Sequence, residues 1–193
     1  MVLISRRKFI EKTEDMWRNR WVKSVVHQYR LKHPDATLEE IKEKLLPEWV
    51  CLIDRWGTLR NCKYYVTAWF FARPPRAPPI KPFSIGTAHY HPIEEYKPSA
   101  EDIMGWTNRY LQSQEFLYII HTDEKTLIYD FRGLSEEDIP PTIKAIISSI
   151  GLAIFGIPEE PRKLLEKWFK QMLKTNRIKQ YILYGDEEIE IST

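Results

Sequence analysis

Helices and strands in mixed order, the α/β or α+β class, are what this sequence predicts, and three observations carry the expectation. Segments with apolar residues three and four apart alternate with short runs of β-branched and aromatic residues, the two patterns that separate amphipathic helices from strands. No internal repeat is present. Hydrophobic residues make up 43% and charged residues 29% of the 193-residue chain, the balance of a folded domain and not of a disordered segment.

The elements follow in order. Residues 6–31 read as one helix, because Ile10, Trp17, Trp21, Val25 and Tyr29 recur at intervals of four or seven. Such an aromatic face needs burial, against the rest of the chain or against a partner. His33-Pro34-Asp35 ends this helix. Thr37 and Glu40 form a capping box for a short helix over 38–45, which stops before Pro47. Residues 48–54 read as a strand, 55–58 as a turn and 61–71 as a second strand. Five prolines within residues 72–82 make that stretch a loop. A strand over 83–91 and a helix over 99–112 come next, the latter marked by Ile103, Trp106 and Tyr110. Residues 115–121 and 126–131 read as a strand pair. Helix follows within 135–155, and again over 158–175 with Leu164, Leu165, Trp168, Phe169 and Met172 on one side. Residues 181–184 and 188–191 flank Gly185-Asp186, the signal of a hairpin.

Charge is unevenly spread. Residues 1–34 hold nine Lys/Arg against three Asp/Glu and so carry +6, although the whole chain carries only +2. This basic amphipathic segment reads as an appendage, with the main domain over 35–193. No apolar run reaches the roughly 20 residues of a membrane span, and no apolar segment with a cleavage site follows the basic start, so a cytoplasmic protein is expected. Cys51 and Cys62 are too few for a disulfide scaffold and read as small buried apolar residues. Asn and Gln together number only nine, a composition that leans toward a thermophilic source.

The chemistry is concentrated in Gly86-Thr-Ala-His89-Tyr-His91-Pro92 and the following Pro98-Ser99-Ala-Glu-Asp102. Residues two apart on a strand share a face, so His89 and His91 project together. Asp102 sits just inside the next helix, and the intervening loop is long enough to fold that helix start over the strand end. Two imidazoles and a carboxylate would leave a fourth position open on Zn2+, the layout of a catalytic site. Zinc lowers the pKa of its water toward about 7, and a nearby carboxylate must then take the proton. Glu48, the acidic residue that opens an apolar strand, is the candidate base. Taken singly, each piece has a plain reading: His-x-His is common on surfaces, Ser99 to Asp102 is an ordinary helix cap, and Glu48 can be a solvated strand end. His121 reads as a surface or turn histidine.

Together these pieces resemble the JAMM (MPN-plus) metalloprotease family, whose signature is an upstream Glu followed by H-x-H-P-x6-S-x-x-D. His89, His91, Pro92, Ser99 and Asp102 occupy every fixed position of it, and Pro47-Glu48 running into Trp-Val-Cys-Leu-Ile is similar to the family's first core strand. Tyr90 departs from the usual Ser between the histidines, and its ring must find room in the opposite layer. Ile93 stands where a Gly is usual. The resemblance covers about residues 37–131. It implies a cytidine-deaminase-like MPN fold, a central mixed sheet flanked by helices, with an extra N-terminal helix. It implies His89, His91 and Asp102 as zinc ligands, Glu48 as general base and later acid, and Ser99 as the donor to the oxyanion. It further implies a peptidase or isopeptidase that cleaves after the C-terminal Gly-Gly of a ubiquitin-like protein. The proline-rich loop, with Arg73, Arg76 and Lys81, is expected to form one wall against an acidic partner.

A reading from another class stands beside it: a non-proteolytic scaffold or nucleic-acid-associated protein that uses the basic first segment. No membrane partner is expected.

Overall fold

The structure is a computed structural model and describes residues 1–66, 76–93, 97–149 and 156–192. In chain order its elements are β1 (Val2–Ser5), α1 (Arg6–Arg18), α2 (Arg20–Lys32), α3 (Leu38–Leu45), β2 (Pro47–Asp54), β3 (Leu59–Val66), β4 (Ser84–Tyr90), α4 (Ala100–Ser113), β5 (Leu117–His121), β6 (Lys125–Asp130), a 3-10 turn (Glu136–Asp138), α5 (Pro141–Ser148), α6 (Glu159–Lys174), β7 (Lys179–Tyr184) and β8 (Glu188–Ile191).

Six strands form a mixed sheet in the order β3-β2-β4-β5-β6-β7. The β4–β5 pair is parallel and every other pair antiparallel. Parallel neighbours need a crossover, and α4 supplies it. The central strands β2, β4, β5 and β6 are buried on both faces, which is why they read as nearly continuous apolar runs. On one face Tyr118, Ile120, Leu127 and Tyr129 pack against Ile103 and Trp106 of α4, Ile143 of α5, and Trp168 and Phe169 of α6. On the other face Trp49, Cys51, Ala88, Tyr90 and Ile119 pack against Phe9, Met16, Val22, Val25 and Ile41. The protein is therefore a helix–sheet–helix sandwich of mixed α/β type.

Gly86 sets the distance between β4 and β5. A Cβ at this position would overlap the carbonyl oxygen and backbone of Leu117. At the β2–β3 turn, Asp54 Oδ1 accepts the N–H groups of Trp56 and Thr58 at 3.0 and 2.9 Å, and Arg60 Nε donates to Oδ2 at 3.0 Å.

Several expectations are corrected. The single helix over 6–31 is two helices. Asn19 leaves the helical path, and its side chain caps the second by accepting the N–H groups of Trp21 and Val22. The face that α1 buries is Arg6, Phe9, Thr13 and Met16, not the aromatic series; Trp21 is 44% exposed. Thr13 belongs to the buried face because its hydroxyl accepts the indole N–H of Trp49 at 2.9 Å. The C-terminal strands do not pair with one another. β7 joins β6 at the sheet edge, whereas β8 pairs with β1, Val2 opposite Ile191. β1 offers β8 a partner whose Val2 and Ile4 are fully buried, an option invisible to a local reading. In α6, Leu165, Trp168, Phe169 and Met172 are buried, and Leu164 is exposed. Cys51 and Cys62 form a disulfide between β2 and β3 instead of standing as separate apolar residues. Their strands are neighbours, and the register shift near Cys51 sets the two side chains opposite one another. The latter part of the strand over 61–71, Arg73, and the end of the helix within 135–155 lie outside the described residues.

Candidate metal centre

β4 carries His89 inward on the face that packs against α4. Its register partners show this: His89 lies opposite Val50 on β2 and Ile120 on β5, and Ile120 belongs to the α4-side core. Beyond Tyr90 the chain leaves the strand, but the His91 N–H still donates to the His121 carbonyl at 2.9 Å. That bond continues the β5 ladder by one residue and holds the second imidazole near the first.

Asp102 arrives from the other side, at the third position of α4. Ser99 is the N-cap. Its hydroxyl accepts the Asp102 N–H at 3.0 Å and donates to Asp102 Oδ2 at 2.8 Å, while the Ser99 N–H donates to the same oxygen at 2.8 Å. One carboxylate thus serves as helix cap and site residue together. Glu101 next to it accepts Arg162 Nη2 of α6 at 2.8 Å, which ties the start of α4 to its neighbouring helix.

The result is a tight group. His89 Nε2 lies 2.8 Å from His91 Nε2 and 3.3 Å from Asp102 Oδ1, and His91 Nε2 lies 3.8 Å from Asp102 Oδ2. Metal bonds of about 2.0–2.1 Å in a tetrahedron place donors about 3.3 Å apart. The three separations straddle that value, so the residues fit a small divalent cation. Among the described residues these three form the group of His, Cys, Asp and Glu side chains able to hold a metal ion. Electrostatics agree with geometry. Burial pushes His89 down to about 4, with Asp102 pulling the other way and His91 adding to the drop. At neutral pH His89 is therefore uncharged, the protonation state that a metal ligand requires. The indole of the buried Trp106 lies beside His89, with ring centroids 6.1 Å apart.

Glu48 is not part of this group. It stands on β2 two residues before Val50, so strand alternation puts it on the same sheet face as His89, at the end of the strand where His91 emerges. It is half-buried, opposite Tyr65 on β3.

Three supports lie around the site: the direction of the Tyr90 ring is as expected, whereas its bonds, the burial of His121 and the Arg109–Glu115 pair were not anticipated. Tyr90 points into the opposite layer, as its position between the histidines demands, and is fully buried there. Its hydroxyl donates to Asp123 Oδ1, and Lys42 donates to Asp123 Oδ2 at 2.5 Å. His121, expected at the surface, is only 1% exposed. It lies among Phe9, Trp49 and Tyr90, with Nδ1 2.8 Å from Thr126 Oγ1. Burial, and secondarily the Arg6 cation, push its imidazole down to about 3, against the pull of Asp123. Third, Arg109 of α4 and the buried Glu115 pair, and Arg109 Nη1 reaches out to the Pro78 carbonyl at 2.8 Å. Ser84 donates to the same Glu115. This clamp fixes the described end of the proline-rich loop, whose Arg76 and Lys81 side chains are exposed. A strand run buried on both faces, residues 117–121, was the available signal for His121. Nothing local marks Glu115.

Compared with known proteins, the chain matches no protein-family model, no curated protein and no solved structure.

Proposed function

We propose that this protein is a zinc-dependent peptidase or isopeptidase, resembling the JAMM enzymes that cleave after the C-terminal Gly-Gly of ubiquitin-like proteins. One observation carries the reading: His89, His91 and Asp102, separated in sequence by the family's spacing, converge at metal-ligand distances. Two imidazoles and one carboxylate are a donor set suited to zinc and leave room for a further ligand.

When bound, zinc supplies Lewis acidity, polarising a scissile carbonyl and acidifying water. The chain's own groups do the rest. Glu48 accepts a proton from the attacking water and returns it to the leaving amine. Asp102 is held in position by its two bonds from Ser99. The Ser99 hydroxyl, once turned from Asp102 toward substrate, donates to the developing oxyanion, a role worth about 3 kcal/mol in comparable sites. The positive end of α4 favours negative charge at the same point. Arg76 and Lys81 extend a basic wall for an acidic partner.

No helix among the described residues is long and apolar enough to cross a membrane. We propose a cytoplasmic location in a thermophilic cell; intracellular disulfides such as Cys51–Cys62 are known chiefly from hyperthermophiles.

Elemental analysis of tag-free protein tests the reading first, followed by incubation with a ubiquitin-like protein extended beyond its Gly-Gly. About one zinc per chain and cleavage after the second glycine are expected. Glu48→Gln should keep the zinc and lose turnover. A chain that takes up no zinc on dialysis refutes the metal centre, and zinc without cleavage of either peptide or isopeptide substrates refutes the peptidase.

A further inference from the structure

The helix layer on the other side of the sheet carries a second surface. From Met16 to Pro34 the chain has no acidic residue, yet it holds Arg18, Arg20, Lys23, Arg30 and Lys32. Arg18 pairs with Glu14 on α1. The four cations of α2 make no ion pair among the described residues, and all four are exposed. Helical spacing sets Arg20, Lys23, His27 and Arg30 along one solvent-facing stripe about 15 Å long. Trp21, 44% exposed, follows Arg20 in the first turn of α2, about a quarter-turn round the helix from it. Beside the stripe lies a groove of about 380 Å³ lined by Trp17, Lys23, Val26, His27, Arg30 and Leu38. The groove thus joins an apolar and aromatic wall, Trp17, Val26 and Leu38, to a cationic rim, Lys23 and Arg30.

We propose that α2 and this groove bind single-stranded nucleic acid, with phosphates on Arg20, Lys23 and Arg30 and bases stacked against Trp21 and within the groove beside Trp17. Charge complementarity selects a polyanion. The aromatic rings select one whose flat bases are open to stacking, which a duplex hides. An anionic membrane suits the surface poorly, because Val22 and Val25, the apolar face of α2, are already buried in the protein core. Since α2 covers the sheet face opposite the His89 side, this binding is independent of the metal-centre reading.

The test is fluorescence anisotropy of labelled dT20 with the full chain, at 50 and 200 mM salt. Three phosphate contacts predict a roughly twenty-fold fall in affinity between the two. The double variant Lys23→Glu/Arg30→Glu should bind at least tenfold more weakly, and Trp21→Ala about fivefold more weakly. Both should keep the wild-type metal content and melting temperature, which separates lost binding from lost folding. The proposal is overturned by absence of binding at 50 mM salt, or by affinity that charge reversal leaves unchanged. Equal affinity for polyglutamate or anionic vesicles overturns it also, as does equal affinity for duplex DNA together with an inert Trp21→Ala.

Discussion

The Tyr90 hydroxyl donates to Asp123 Oδ1 at 3.0 Å, on the sheet face opposite the one that carries His89. The residue between the two histidines is thus anchored from behind. Burial and the Asp123 carboxylate raise the phenol far above its ordinary range, so it remains a donor at any working pH. Lys42 and the Arg6 guanidinium, which reaches the Asp123 carbonyl at 2.6 Å, complete the anchor. Tyr90→Phe leaves the ring packed and removes only the bond. We expect a loss of about 1–2 kcal/mol in chemical denaturation, with metal content unchanged.

Removing a proposed ligand should act differently. Asp102→Ala deletes a proposed zinc donor and the carboxylate half of the α4 capping box at once, so zinc content should fall close to zero and stability by about 1 kcal/mol. Ser99→Ala removes one of the two bonds to Asp102 Oδ2 and the side-chain cap, but no ligand. On the proposed zinc-peptidase reading, metal should remain, with weaker affinity and much lower turnover. Elemental analysis and competition with a chromogenic chelator distinguish the two variants.

His121 predicts an acid sensitivity. Unfolded, its imidazole takes up a proton near pH 6.5; folded, near 3. Between these values the unfolded chain binds more protons, so stability falls as pH is lowered through 6.5 toward 3, and the contribution is complete above 6.5. By pH 4 the loss from this group is on the order of 3 kcal/mol. His121→Gln, which cannot titrate, should show a shallower decline in urea midpoints between pH 7 and 4 than the wild type.

The Cys51–Cys62 bridge closes a short loop, with a sequence separation of 11. Replacing both cysteines by alanine, or reducing the bridge, should lower stability by about 2–3 kcal/mol. The shift in melting temperature on adding reductant measures it.

Gly86→Ala should be more damaging, because the new methyl group meets Leu117 backbone that cannot move without separating β4 from β5. A cost of about 3 kcal/mol or more is expected in denaturant titration, with loss of zinc following from displacement of His89.

How much of this was legible beforehand depends on how local the cause was. Thr37 and Glu40 cap α3 as their spacing predicts, and Ser99 and Asp102 cap α4, because those bonds span three residues. The meeting of His89 and Asp102 was readable because strand alternation and a helix start constrain both ends. The interruption at Asn19 was present in the sequence, but an apolar period of four running through it concealed the cap. The pairing of β8 with β1 was not readable at all, since it joins the two ends of the chain. The environment of His121 is equally non-local: Phe9, Trp49 and Tyr90 come from three separate elements. The anchoring of the proline-rich loop by Arg109 likewise spans 31 residues.

The β1–β8 ribbon has a mechanical consequence. Val2 and Ile191 face each other at the same end of this four-pair ladder. Tension applied between these residues therefore loads the rungs one after another, as a zip opens, and not all together as in shear. The ribbon should part at low force, and the six-stranded sheet with its His89 side should feel the pull only after that slack has been spent.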